Sequence, residues 1–310
     1  MKILVTGGAG FIGSHVADAL LDLGHDVHVM DNFAAGKREN VPPGATLHEL
    51  DIRSKDAAAV CAAERFEILF HLAAQMDVRR SVADPGYDAD VNIVGFLSLV
   101  EGARSSLKKI VFASTGGAIY GEPDYTPQDE QHPARPLSPY GITKLATEKY
   151  LFFYKQTYGV DYVALRYGNV FGPRQNPHGE AGVVAIFTER MLRSEPVWIN
   201  GSGRQTRDYV FVGDVVRANM AALSYSGSGI FNVGTGIETD VNYLFRAIRS
   251  LTNADVEEQH ADAKPGEQMR SVLGCDHALN ELGWKPLFGV DEGLKNTVEW
   301  FAEKFDEIRA

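Results

Sequence analysis

Cysteine is nearly absent: among 310 residues only Cys61 and Cys275 occur, neither in a CxxC pair nor at metal-ligand spacing with histidine. That excludes a disulfide framework, leaves no metal site to expect, and fits a reducing compartment. Basic residues are the minority, with Lys+Arg 30 against Asp+Glu 41 and a formal net charge of -11. Nucleic acid and anionic membranes need a broad basic face, so neither is an expected partner, and any phosphate site has to be locally basic. No apolar run reaches the ~18 residues of a membrane-spanning helix. The apolar start Ile3-Leu4-Val5 passes straight into Thr6-Gly7, a strand-length segment and not a signal core. A cytoplasmic chain is the expectation. The rest is ordinary, at 45% hydrophobic and 23% charged residues, enough for a large core with a smaller appended lobe.

Strands alternate with helices through the first half. Ile3 to Thr6, Asp26 to Met30, Thr46 to Leu50, Ile68 to Leu72 and Lys109 to Ala113 are strand-like, and Ser14 to Leu23 carries apolar residues at helical spacing before Gly24. Such alternation predicts an α/β fold with a Rossmann-like, doubly wound parallel sheet. A long helix from Tyr140 to about Tyr154 and a strand from Tyr162 to Arg166 continue it. After Gly172 the pattern breaks, because Pro173 to Gly182 is rich in Pro, Gly, Asn and His. Phe211 to Leu223 and Ile230 to Val233 read as a return to the sheet, and Thr239 to Phe301 as helical with short strands. The expected division is a sheet domain of residues 1–172 plus 208–234 and a smaller, discontinuous C-terminal substrate lobe of residues 173–207 plus 235–310.

Chemistry first shows in Thr6-Gly7-Gly8-Ala9-Gly10-Phe11-Ile12-Gly13, directly after the first strand and before the first helix. Gly7 permits the tight turn, Gly10 lets the backbone approach a pyrophosphate at the helix N-terminus, and Gly13 allows helix to pack on strand. Asp31 ends the second strand, where a carboxylate accepts from a ribose diol and repels a 2′-phosphate. Together they predict NAD in preference to NADP. Asp51-Ile52 ends the third strand, and Asp51 has two readings, an adenine contact and a helix cap.

Tyr140-Gly141-Ile142-Thr143-Lys144 sets a phenol and an ammonium on one face of a helical turn. A neighbouring Lys⁺ stabilises phenolate, which makes Tyr140 a candidate base toward a hydroxyl and acid on the return. Pro136 to Pro139 forms a rigid approach with Ser138 as a cap. At the carboxyl end of the preceding strand, Ser114 or Thr115 can hydrogen-bond the reacting hydroxyl, followed by Gly116-Gly117. His71 reads as a buried or backbone-bonded histidine, and Phe152, Phe153 and Tyr154 as core or dimer contacts.

These motifs, with His71-Leu72-Ala73-Ala74, Asn92 and Gly95, the run Arg166 to Arg174, and Arg207-Asp208-Tyr209-Val210, resemble the extended short-chain dehydrogenase/reductase superfamily, in particular its nucleotide-sugar epimerase/dehydratase branch. The resemblance spans essentially the whole chain. It implies bound NAD, with contacts from Gly7, Gly10, Phe11, Ile12 and Gly13, from Asp31, Asn32 and Lys37, and from Asp51 and Ile52. Further cofactor contacts fall on Leu72, Ala73, Ala74, Asn92, Tyr140, Lys144 and Tyr167. It also implies a UDP- or dTDP-sugar substrate held by Thr115, Asn169, Arg207, Glu267 and Arg270, and a homodimer formed by the long helix and the one near Asn92 to Ala103.

One departure narrows the third catalytic group. Many relatives carry the hydroxyl where this chain has Gly116, so Thr115 is preferred and Ser114 is second. Dehydratase relatives place Asp-Glu after the catalytic threonine, and Gly116-Gly117 stand there instead. The expected reaction is therefore NAD-dependent 4-epimerisation of a UDP-hexose through a transient 4-keto sugar, with the N-acetylated pair included because Ser271 stands near a position that is bulky in some relatives. The alternatives are a UDP-glucuronate 4-epimerase or decarboxylase using Arg174 on the sugar carboxylate, a dTDP-glucose 4,6-dehydratase-like enzyme, and a non-catalytic NAD-binding protein. Arg166 and Arg190 read as strand-end and helix-surface charges, and Arg204 and Lys264 as further loop cations.

Overall fold

The computed structural model describes residues 1–178, 182–263 and 268–309, with side chains through residue 305. Seven parallel strands make the main sheet: β1 (Lys2–Thr6), β2 (Asp26–Asp31), β3 (Thr46–Glu49), β4 (Ile68–His71), β5 (Lys109–Thr115), β6 (Asp161–Tyr167) and, later in the chain, β10 (Gly229–Val233). Their order is β10-β6-β5-β4-β1-β2-β3, so the direction of winding reverses between β1 and β4. Ligands of such sheets bind outside the carboxyl ends at that reversal.

Alternation along each strand builds both faces. Ile3, Val5, Val27, Val29, Phe70, Val111 and Val163 join Val16 and Leu20 of α1 (Phe11–Asp22) in one buried cluster. Their neighbours Leu4, Met30, Leu69, Ile110, Phe112 and Ala164 point the other way, onto α2 (Lys55–Glu64) and the helices that follow β4. Those are α3 (Val78–Ala83), α4 (Pro85–Ala89), a π-helical turn at Asp90–Gly95 and α5 (Phe96–Ala103). After β5 come the short α6 (Gly116–Ile119) and α7 (Pro139–Tyr158), a longer helix than its sequence pattern predicts.

A smaller sheet, β11-β9-β7, joins β7 (Asn169–Phe171), β9 (Thr206–Phe211) and β11 (Glu238–Asp240), and a two-stranded one pairs β8 (Trp198–Asn200) with β12 (Gln259–Ala261). Here the expected return to the main sheet at Phe211 needs correction: β9 pairs with β7 and β11, and Val212–Ser224 is a helix, α9. Its apolar face, Val215, Ala218 and Ala222, lies against the main core, so the apolar run marks a buried helix face and not a strand. Among the described residues after β6, β10 is the strand that rejoins the large sheet, beside β6. Helices α8 (Val183–Leu192), α10 (Val241–Thr252), α11 (Asp276–Leu282) and α12 (Val290–Arg309) complete the fold. Phe187, Ile199, Phe211, Leu244, Phe245, Ile248 and Leu294 form a separate core there.

Candidate functional site

The glycine loop after β1 is built for close approach. Gly7 has φ +69°, and a Cβ on it would lie 2.8 Å from Ala73 N, so the loop after β1 touches the loop after β4 at backbone distance. A Cβ on Gly13 would lie 2.1 Å from Gly7 O, which fixes that position as glycine too. Gly10 caps α1 without any side-chain hydrogen bond, leaving the first-turn N–H groups to a ligand. Asp31 is buried at the end of β2, where Oδ2 accepts from Ala9 N at 3.0 Å and Oδ1 from Phe33 N at 2.8 Å. Burial raises its carboxyl pKa, and those two hydrogen bonds oppose the rise. Asn32 Nδ2 donates to Asp51 Oδ2 at 3.0 Å, and Arg53 holds the Asp51 carboxyl down to about 2. Lys37 fastens the loop through its backbone N–H to Ala9 O at 2.9 Å, with its ammonium beside Glu39 in solvent. Leu72 and Ala73, half-buried after β4, are the residues that meet Gly7; Ala74 is half-buried beside them in sequence and Ile52 is buried. A cradle that any Cβ would fill, a helix N-terminus without a side-chain cap and a strand-end carboxylate are what a dinucleotide requires.

Ser138 Oγ accepts from Gly141 N at 3.2 Å and Pro139 opens α7, as the sequence predicts. This start directs Lys144 beneath the end of β5, where Nζ donates to Ala113 O at 2.8 Å. The ammonium lies 4.7 Å from the Phe112 ring centroid and 5.8 Å from that of Tyr140. It is 3% exposed, and burial brings its pKa down to about 8, opposed by the charges of Asp88 and Glu148. Neighbouring hydroxyls on β5 point to opposite sides. Ser114 is buried and donates to Glu148 Oε1 at 2.6 Å, whereas the half-buried Thr115 caps α6 by accepting from Ala118 N at 3.2 Å, leaving its own O–H proton for another acceptor. Gly116 packs closely under Leu273: a Cβ there would lie 2.6 Å from Leu273 Cδ1, so a side chain at this position would have to displace that leucine side chain.

Two of the expected cofactor residues turn their polar groups inward. Asn92 is buried, its Oδ1 accepting from Gln75 N at 2.9 Å and its Nδ2 donating to Gln75 O at 2.9 Å. The Tyr167 phenol is also buried and exchanges hydrogen bonds with Asn219. On the substrate side, Asn169 is exposed at the start of β7, and a Cβ on Gly117 would lie 3.8 Å from its Oδ1. Arg207 on β9 donates to Thr206 O at 2.8 Å, and among the described residues no carboxylate pairs with it. Arg270 is held by both oxygens of Glu238 at 2.9 and 2.7 Å, and Arg174 by Asp18 at 2.7 Å. Ser271 is buried. Glu267 and Lys264 lie outside the described residues.

Several polar residues that sequence reasoning passed over underlie the site. Arg166, read as a strand-end charge, is instead buried in a two-pronged ion pair with Glu148 and donates to Tyr120 Oη at 2.8 Å. Asp88 is fully buried among Gln75, Asn92 and Thr143. The available signal for Glu148 was its helical phase, one turn beyond Lys144 and two beyond Tyr140 on the same face. His71 is buried and bonded to Thr6 Oγ1 at 2.9 Å; burial, then the Lys144 charge, lowers its pKa to about 3, so the ring is neutral.

Residues 3–234 match the family model described as the NAD dependent epimerase/dehydratase family. A putative UDP-glucose 4-epimerase of Methanocaldococcus jannaschii is 46% identical over 299 residues, covering 96% of this chain and 97% of that protein. The crystal structure of UDP-glucose 4-epimerase with UDP-glucose from Thermotoga maritima is 48% identical with a TM-score of 0.96, covering 98% of this chain and 100% of that one. The Thermus thermophilus UDP-glucose 4-epimerase in complex with NAD is 48% identical with a TM-score of 0.92, over 97% and 99% of the two chains. Sequence and fold thus agree, and this chain belongs to the NAD dependent epimerase/dehydratase family.

Proposed function

We propose that this protein is an NAD-dependent 4-epimerase of UDP-hexoses that interconverts UDP-glucose and UDP-galactose. The observation that carries the reading is the buried Lys144 ammonium beside the Tyr140 ring at the carboxyl end of β5, next to Thr115. The relatives' activities support the same reaction. When bound, NAD supplies the reversible hydride acceptor for the sugar carbon. Tyr140 accepts the proton of the C4 hydroxyl as phenolate, stabilised by Lys144, and returns it after the keto-sugar has turned its other face. Thr115 fixes the hydroxyl oxygen through its uncommitted O–H proton. Turning demands a hexose held loosely and a diphosphate held firmly, which assigns Arg207 and Asn169 to the diphosphate.

Competing readings are weaker on specific grounds. Gly116 and Gly117 supply neither the acid nor the base that elimination across C5 and C6 needs. A uronate requires an available arginine, and both Arg174 and Arg166 are committed to carboxylates. Homodimerisation through α5 and α7 is part of the proposal, because Phe152, Phe153 and Tyr158 stand exposed along one helix. So are a cytoplasmic location and the division into an NAD domain, residues 1–172 plus 208–234, and a nucleotide-sugar lobe. The test incubates the protein with UDP-glucose and follows C4 configuration by NMR. Tyr140→Phe should lower the rate ~10²–10⁴-fold; full activity in that variant, or no turnover by the native protein, overturns the reading.

A further inference from the structure

A cation held out of water needs a counter-charge or it gives up its proton. The direct partners of the Lys144 ammonium are the Ala113 carbonyl and two aromatic rings, none of which bears a formal charge while Tyr140 is protonated. Two buried carboxylates act on it from a distance. Glu148, on its own helix, has both oxygens taken by Arg166 of β6 at 2.9 and 2.7 Å, so its charge is largely cancelled within that pair. Asp88, on α4, is different. It is 0% exposed and accepts only from neutral donors, Gln75 Nε2 at 3.0 Å, Asn92 Nδ2 at 3.2 Å and Thr143 Oγ1 at 2.8 Å. Among the described residues no cation pairs with it. The remaining titratable neighbours contribute little charge: His71 of β4 is neutral, and Tyr120, just after α6, is bonded to Arg166.

We propose that Asp88 is the counter-charge of Lys144, a positioning residue that touches neither sugar nor cofactor but keeps the ammonium protonated and thereby keeps Tyr140 competent as a base. This rests on the reading of Tyr140 and Lys144 as the acid–base pair. The surrounding hydrogen bonds serve that end, since three neutral donors satisfy the carboxyl oxygens without adding a positive charge. Thr143, adjacent to Lys144 in the chain, also ties the carboxylate to the first turn of the catalytic helix.

Asp88→Asn tests the charge at nearly constant shape. The amide oxygen can still accept from Gln75 and Asn92, and the amide nitrogen can donate to Thr143 Oγ1, whose proton already has Tyr140 O at 3.0 Å as a second acceptor. NAD-loaded protein labelled with ¹³C at the lysine ε-carbon is titrated by NMR, with the Lys144 resonance assigned by its loss in Lys144→Arg. Loss of the carboxylate should move the Lys144 midpoint about one pH unit lower, from near 8. The alkaline limb of the kcat profile should move down with it, KM for UDP-glucose should stay within about twofold, and Asp88→Glu should restore the midpoint. An unmoved midpoint, or a loss of kcat uniform across pH, overturns the proposal. A native protein without UDP-sugar turnover whose Lys144 midpoint still falls in Asp88→Asn would remove the epimerase reading and leave this coupling standing. If Asp88→Asn does not fold, Asp88→Ser, which admits water in place of the carboxylate, reads the same titration with the same two outcomes.

Discussion

Replacing Glu148 by Gln should destabilise the fold by ~3–5 kcal/mol, because it leaves a buried guanidinium without its counter-charge. Side-chain exposures of 5% for Arg166 and 0% for Glu148 mean that water cannot compensate. Removing both charges, as Glu148→Leu with Arg166→Met, abolishes the unpaired ion. What remains is the buried Ser114 hydroxyl, which donates to Glu148 Oε1 at 2.6 Å in the native protein and would cost ~1–3 kcal/mol when left unsatisfied. Tyr120 keeps Asn232 Oδ1 as acceptor at 2.7 Å, so its loss is minor. Adding Ser114→Ala should then recover most of the deficit. Urea unfolding followed by circular dichroism measures the series, with NAD at one fixed excess because ligand binding to the folded state adds apparent stability. Losses that shrink from single to double to triple variant are the expected signature. A single substitution costing under ~1 kcal/mol, or a double variant costing the sum of its singles, refutes the reasoning.

Gly116→Ala should cost ~1–3 kcal/mol by overpacking against Leu273, whose Cδ1 and Cδ2 would lie 2.6 and 2.7 Å from the new Cβ, and kcat should fall as Thr115 shifts. Leu273→Ala in the same chain removes the clashing atoms, so a double variant that regains no activity would count against this contact. His71 couples stability to acid: its folded pKa of about 3 lies below its ordinary 6.5, so the unfolded chain gains a proton that the folded one refuses. Stability should be complete above that ordinary value and fall by up to ~1.4 kcal/mol per pH unit below it, and urea midpoints of His71→Gln should show a shallower acid slope. Arg207→Ala should raise KM for UDP-glucose ~10–100-fold with little change in kcat, as loss of a charge-assisted diphosphate contact does. Steady-state kinetics showing the reverse would assign Arg207 another role.

Residues that act through local backbone geometry were legible from sequence. The Gly7 to Gly13 spacing, Asp31 at a strand end and the Ser138 cap each depend on a few neighbours, and each is where the pattern put it. Residues that act through tertiary partners were not. Arg166 reads as a strand-end charge until Glu148 is brought against it, and Asp88 carries no local signal until Gln75 and Thr143 enclose it. The strand at Thr206 was missed for a related reason, because its pairing partners β7 and β11 lie on either side of it in the chain and outside the main sheet.

The position of the hydroxyl shows how these distant parts depend on one another. Asp208, next to Arg207, is buried and accepts from Thr235 N, Thr235 Oγ1, Gly236 N and Leu273 N, at 2.7, 2.7, 3.0 and 3.2 Å. Leu273 in turn fills the space beside Gly116, and Gly274 N donates to Gln128 O at 2.8 Å in the segment leading to α7. Gln268 Nε2 reaches Gly121 O at 2.6 Å from the same stretch of chain. One segment from the C-terminal part therefore braces both the strand bearing Arg207 and the turn bearing Thr115. A side chain at position 116 would press on the Leu273 side chain within that brace. The glycine that departs from many relatives packs against Leu273, and the proposed hydroxyl role goes to Thr115 because the Ser114 hydroxyl is engaged with Glu148.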